Sequence, residues 1–201
     1  MTDSVEVIDH RAWIIGATAV LGASGLAARQ LSDRELVSFH LVNRTPAWLT
    51  GVLWAPMQLG AAASPFVIAG VLAATRREPC LPIGIAATGL GSWFAAKGVK
   101  LVLRRGRPSE LVAEANVRVG ASRTGLGFVS GHAAVAASLA TVLWPVVPST
   151  AGRVGLVAGA AVIGLARVQN GSHLPLDVVG GFALGSVLGH AWGLLGPCRR
   201  P

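Results

Sequence analysis

Six stretches of the chain stay apolar for long enough to cross a bilayer, and polar punctuation separates them. They run from Ala12 to Ala28, Gly51 to Ala74, Cys80 to Leu103, Phe128 to Val147, Val154 to Val168 and Val178 to Leu195. A spanning helix takes about 20 mainly apolar residues. The first and fifth stretches fall short, and Arg153 snorkelling to the interface lets the fifth begin near Ser149. Trp13, Trp48, Trp54, Trp144 and Trp192 sit near the ends of these stretches, as an aromatic belt requires; Trp93 does not. The expectation is an all-α integral membrane bundle of about six transmembrane helices, a single membrane-embedded domain over residues 1–201, with both termini on one side.

The intervals carry pattern as well. Residues 32–49 mix Leu36, Val37, Phe39, Leu41 and Val42 with Asp33, Arg34, Glu35 and Arg44, which fits either an amphipathic helix lying on the interface or an ordinary loop. The link over 104–127 has Glu110 and Glu114 at helical spacing and Gly125 and Gly127 near its end. It reads as a solvated loop, with folding over a pocket as the alternative. In the last stretch Gly181, Gly185, Gly189 and Gly193 recur every fourth residue, a ridge that admits a close neighbour and is expected to pack inside the bundle and not to form a dimer seam.

Composition agrees with a membrane protein: 52% of residues are apolar and 13% charged, with a mean hydropathy of +0.60. Arg far outnumbers Lys, Tyr is absent, and Ala, Gly and Val dominate, a bias of GC-rich bacterial genomes. Asp3, Glu6 and Asp9 precede the first stretch, unlike the positive leader of a signal peptide, so that stretch is expected to be retained. The net charge of +8 suits nucleic acid, anionic lipid or an anionic substrate. Clean hydrophobic spans argue against nucleic acid. Cys80 and Cys198 lack metal-ligand spacing and read as small apolar residues.

Laid on six spans, three polar stretches reach the same face. Lys100 and Arg107 close the third span, Ser130, Gly131 and His132 open the fourth, and Arg167 to Asp177 join the fifth to the sixth, so residues 100–132 and 167–177 form one active-site face. The other face receives Arg76 and Arg77, residues 148–153 and the tail from Cys198 to Arg200. Asp177 is the only acidic residue after Glu114. A carboxylate at a bilayer centre costs about 2.5–3.5 kcal/mol on insertion scales, so this one reads as functional. Lys100, Arg107 and Arg167 supply fixed positive charge, the arginines in a planar fork that matches phosphoryl oxygens. Ser130 and Gly131 begin a helix whose free N–H groups favour a phosphate.

A phosphate ester calls for a nucleophile and a proton donor, and His173 and His132 fit those roles. Asp177 would hold Nδ1–H of His173 and leave Nε2 to attack phosphorus. Pro175 suits a first helical turn and Leu174 before it should be extended, which puts His173 just outside the helix, reaching Asp177 through a turn. A metal site of His132, His173 and Asp177 competes with this reading; three nearby cations would repel a divalent ion and attract an anion. Lys97 either lines the site or snorkels. Arg104, Arg105, Arg118 and Arg123 read as a basic rim for headgroups, and His10, His40 and His190 as structural.

These residues resemble the type 2 phosphatidic acid phosphatase superfamily, with its Lys-x6-Arg-Pro, Pro-Ser-Gly-His and Ser-Arg-x5-His-x3-Asp motifs. The first is complete at Lys100, Arg107 and Pro108. The second has Val129 in place of Pro before Ser130, Gly131 and His132; the third has Ala166 in place of Ser before Arg167, His173 and Asp177. The resemblance implies hydrolysis of a phosphomonoester or diphosphate without metal or other cofactor, a phosphohistidine on His173, and a proton donor in His132. It also implies a phosphorylated lipid substrate such as an isoprenyl diphosphate, phosphatidic acid or phosphatidylglycerol phosphate. The site would then face outward from a bacterial plasma membrane, since the loop charges do not orient the chain. A lipid-phosphate binding or translocating protein that does not hydrolyse is the alternative.

Overall fold

The computed structural model describes residues 8–75 and 79–195. Among these the secondary structure is all helical. The order is α1 (His10–Ala27), α2 (Asp33–Asn43), α3 (Leu49–Gln58), α4 (Ser64–Thr75), α5 (Cys80–Leu103), α6 (Pro108–Leu111), α7 (Gly131–Leu143) running into a 3-10 turn (Trp144–Val146), α8 (Thr150–Gln169) and α9 (Pro175–Leu195). By length and composition α8 and α9 are able to cross a membrane. Outward faces elsewhere are apolar too, with Ile15, Leu26, Val71, Phe94 and Val102 exposed. α8 starts where Ser149 accepts a hydrogen bond from the Gly152 N–H, and Arg153 lies over the Trp144 ring at 5.4 Å.

α7 and α9 form the centre. α7 is made almost wholly of small residues, from Ala133 to Ser138 buried without interruption, and the glycine ridge of α9 lies against it. A Cβ on Gly185 would stand 2.0 Å from the Ala134 carbonyl oxygen, one on Gly181 2.5 Å from that of Ser130, and one on Gly189 2.6 Å from Thr141. At the far end Gly193 faces the His10 ring of α1. The ridge is thus used within the chain, as its spacing suggests. His10 and His190 meet there through Nδ1 atoms 3.0 Å apart, with Trp13 stacked on His190.

Three expectations need correction. The second apolar stretch is not one helix. Pro56 lies inside α3, the chain turns through residues 59–63, and α4 starts anew at Ser64, whose hydroxyl donates to the carbonyls of Leu59 (2.6 Å) and Ala61 (2.9 Å). Those bonds satisfy backbone groups that a broken helix would otherwise leave bare. Gly60 at the corner is needed for contact, since a Cβ would come within 2.8 Å of the His132 carbonyl oxygen.

The link over 104–127 is a solvated loop only in part, with residues 122–125 exposed and other positions turned into the interior. Arg105, Pro108, Val112 and Gly127 are buried, Asn43 holds Asn116 through backbone and side-chain bonds, and α6 is packed into the interior by Pro108. Finally, Cys80 is disulfide-bonded and not simply a small apolar residue; Cys198, Arg199, Arg200, Arg76 and Arg77 lie outside the described residues, as do Asp3 and Glu6.

Residues 32–49 do contain a helix. Ser32 caps α2 by accepting from the Glu35 N–H. Glu35, Phe39 and Asn43, at i, i+4 and i+8, are buried on one face, while Val37 and Leu41 are exposed on the other.

Candidate active site

Four helix ends converge on one buried site, and local sequence dictates each end. α5 stops at Leu103 because Arg104 turns left-handed (φ 49°) and returns its N–H to the Lys100 carbonyl at 2.9 Å. That turn leaves Arg104 outside and swings Arg105 inward. Arg107 then caps α6 ahead of Pro108, and the Glu110 carboxylate accepts from the Arg107 N–H at 2.7 Å. α7 begins after Ser130, whose hydroxyl accepts from Ala133 N at 3.4 Å and whose own N–H donates to the Asp177 carbonyl at 2.7 Å. After α8, Gly171 takes φ +79° and passes so close to the Asn116 carbonyl that a Cβ there would lie 2.4 Å away. The N–H groups of Ser172 and His173 both return to the Arg167 carbonyl.

This backbone brings Lys100, Arg107, Arg167, His132, His173 and Asp177 within electrostatic reach of one another. Lys100 Nζ donates to the carbonyls of Leu126 (3.1 Å) and Gly127 (2.7 Å). Arg107 Nη1 donates to the Ser172 carbonyl at 2.8 Å, and Arg167 Nη1 rests 3.3 Å from the Met57 sulfur. The Nε atoms of both arginines and Nδ1 of His173 are buried with no hydrogen-bond partner among the described residues. Buried arginine N–H donors without acceptors are costly, so the site suits an acceptor-rich group.

His173 lies in the turn just before α9, and Asp177 in the first turn of that helix. Asp177 Oδ2 accepts from the Leu174 N–H at 2.9 Å and stands 3.5 Å from His173 Nδ1. That separation is long for a hydrogen bond but within the looseness of unliganded catalytic pairs. Burial pushes the His173 pKa down to about 3, helped by the charges of Lys100 and Arg167 and opposed by Asp177. Its imidazole is therefore neutral around pH 7, as a nucleophile must be. Burial also lowers Arg107, against the pull of Asp177 and Glu110. His132, half-buried in the first turn of α7, meets the edge of Trp93 at 5.8 Å between centroids. Trp93 also packs on Gly131, which explains why this tryptophan departs from the belt. Lys97 is exposed above the Trp93 and Phe94 rings, at 5.9 and 5.7 Å. Val129 is buried after a cis peptide bond from Phe128, and Ala166 is buried in α8.

Two residues at this site escaped sequence reasoning. Arg105 belongs to no rim: its side chain is 5% exposed. Its Nη2 donates to Glu35 Oε2 at 2.5 Å, and its Nη1 donates both to Glu35 Oε1 at 3.0 Å and to Asp177 Oδ1 at 2.9 Å. Glu35 Oε1 takes a further bond from the Leu176 N–H at 3.1 Å. The available signal was the stripe Glu35–Phe39–Asn43, but Val37–Leu41 offered α2 an equally good apolar face. Arg118 is not a headgroup group either; its guanidinium donates to the carbonyls of Gln169 and Thr45 and ties the link to its neighbours. Arg104 and Arg123 remain exposed. Among the described residues no cluster of three or more His, Cys, Asp or Glu is arranged for a metal, and the cationic surround selects an anion.

The fold has counterparts among known proteins. The crystal structure of Aquifex aeolicus LpxE superposes with a TM-score of 0.71 at 24% identity, covering 79% of this chain and 94% of that one. That of the transmembrane PAP2-type phosphatidylglycerolphosphate phosphatase from Bacillus subtilis superposes with a TM-score of 0.75 at 18% identity, covering 93% and 98%. No curated protein matches the chain. The family model of the PAP2 superfamily matches residues 80–196, from α5 through α9, and so takes in every motif residue of the pocket. The chain belongs to the PAP2 superfamily.

Proposed function

We propose that this protein is a membrane lipid phosphatase that hydrolyses the phosphomonoester or diphosphate of a lipid through a phosphohistidine. The observation that carries the reading is the pair of buried, unpartnered Nε donors on Arg107 and Arg167 beside a buried imidazole backed by Asp177. A phosphoryl group supplies the acceptors that these donors lack. Lys100, Arg107, Arg167 and the N–H groups opened by Ser130 and Gly131 hold its equatorial oxygens and stabilise their charge in the transition state. His173 Nε2 forms a bond to phosphorus as the bond to the leaving oxygen breaks, and His132 gives that oxygen a proton. Asp177 orients His173 and balances its growing positive charge. His132, now a base, takes a proton from water, which attacks the phosphohistidine, releases phosphate and returns neutral His173.

The apolar outward faces and the likeness to a transmembrane phosphatase support membrane embedding, with α3 and α4 forming one broken pass and a site on the extracytoplasmic side of a bacterial plasma membrane. Isoprenyl diphosphate, phosphatidic acid and phosphatidylglycerol phosphate are the substrates to compare. A non-hydrolytic lipid-phosphate binder would use the same cations but has no need of a carboxylate behind a buried imidazole. Phosphate release by the purified protein in detergent with EDTA, from each of the three lipids and beside His173→Ala, tests the reading. Release that the substitution removes supports it; lipid bound without release would favour the binder.

A further inference from the structure

Arg105 fills an unspecified position between Lys100 and Arg107, and Glu35 lies outside the matched region altogether. We infer that Glu35 and Arg105 form a charge-balanced clamp, a pair of positioning residues that fix the carboxylate of Asp177 so that it serves His173; this rests on the phosphatase reading above.

The geometry is specific. Asp177 uses its two oxygens on different neighbours: Oδ1 takes Arg105 Nη1, while Oδ2 faces Leu174 N and His173 Nδ1. Arg105 therefore sets the rotation of the carboxylate. It cannot move, because Glu35 grips both its Nη atoms, and Glu35 is in turn held by the Leu176 N–H. All three side chains are at most 5% exposed, where unscreened charges act strongly.

The electrostatics explain why two residues are needed. Arg105 alone would neutralise Asp177 and leave it little attraction for the positive charge that grows on His173 during attack. Glu35 cancels Arg105, so the trio keeps the single negative charge of a lone aspartate while gaining a fixed orientation. Without Arg105, two carboxylates would face each other in a dry interior and one would be driven to take a proton. Each single loss therefore upsets the balance in an opposite sense, and losing both restores it.

The test uses the full chain in detergent with Glu35→Gln, Arg105→Gln and the double variant, measuring kcat and KM for lipid phosphate hydrolysis alongside the imidazole 15N shifts of His173, assigned by comparison with His173→Ala. The expected result is a fall in kcat for each single variant on the order of 100-fold, the scale of a misplaced catalytic group, with KM within about twofold of the parent, and a double variant faster than either single. His173 should carry its proton on Nδ1 in the parent and the double variant and mix tautomers in the singles. A double variant no faster than the worse single, or a loss carried in KM, would overturn the inference, as would an unchanged tautomer in the singles. Should a single variant not fold, the double decides alone: with the charge balance kept and the orientation lost it should show Nδ1–H on His173 and a kcat below the parent's, and a double with the parent's kcat would overturn the positioning role. An inactive parent counts against phosphatase chemistry; the tautomer measurement still decides the clamp.

Discussion

The two ends of α9 are held by different physics. At its N-terminal end Asp177 sits in a knot of charges and hydrogen bonds reaching Arg105, Glu35, Leu174 and Ser130. Farther along, Gly181, Gly185 and Gly189 lie against the backbone and small side chains of α7, with no polar bond from the glycines to account for the fit. The first kind of contact depends on balance, because removing one charge strands another. The second depends on volume, because nothing larger than hydrogen fits. Loss of function should follow from the first and loss of stability from the second, and substitutions can separate them.

The largest effect is expected from His173→Ala, which should lower phosphate release by about 10⁴-fold or more, as removal of a covalent nucleophile does, with little change in melting temperature in detergent. Gly185→Ala should do the reverse, costing about 3 kcal/mol or more through overpacking and read as a fall in melting temperature. Gly22→Ala is its control, since nothing lies within 4 Å of the added methyl. A Gly185→Ala protein as stable as the parent would break the comparison.

The pH dependence comes next. The folded-state pKa of His173 is lowered to about 3 by burial first, against about 6.5 in an unfolded chain. The unfolded state thus binds the extra proton between those values, so this group's contribution to stability is complete above about pH 6.5 and is lost as pH falls toward 3. The limb of kcat/KM that reports loss of the neutral nucleophile should therefore lie well below 6.5 in acid, and an acid limb at 6.5 or above would contradict the burial of His173. The smallest effect is expected from Lys97→Ala, which removes cation–π contacts worth about 0.5–1 kcal/mol at an exposed site and should leave kcat within a few-fold of the parent.

The same division governs what could be read from sequence. The glycine ridge and the motif residues were legible because each is periodic or local: Gly181 to Gly193 by fours, His173 and Asp177 within one turn. The start of α8 near Ser149 was legible for the same reason. Glu35 and Arg105 were not, since they are 70 positions apart and neither has a local pattern demanding a partner. The break between α3 and α4 was hidden differently. Hydropathy is blind to direction, and residues 51–74 are apolar on both sides of the corner, so only Pro56, Gly60 and Ser64–Pro65 hinted at it.

That corner has one more consequence. By ending α3 early it delivers Met57 to Arg167, where the sulfur accepts at 3.3 Å and stands near Asn170 as well. A thioether is among the weakest acceptors a protein owns. Arg167 thus rests against a group that binds it feebly. On the phosphatase reading, a phosphoryl oxygen, charged and far better matched to Arg167, exchanges that poor partner for a good one, and the thioether gives up little in the exchange.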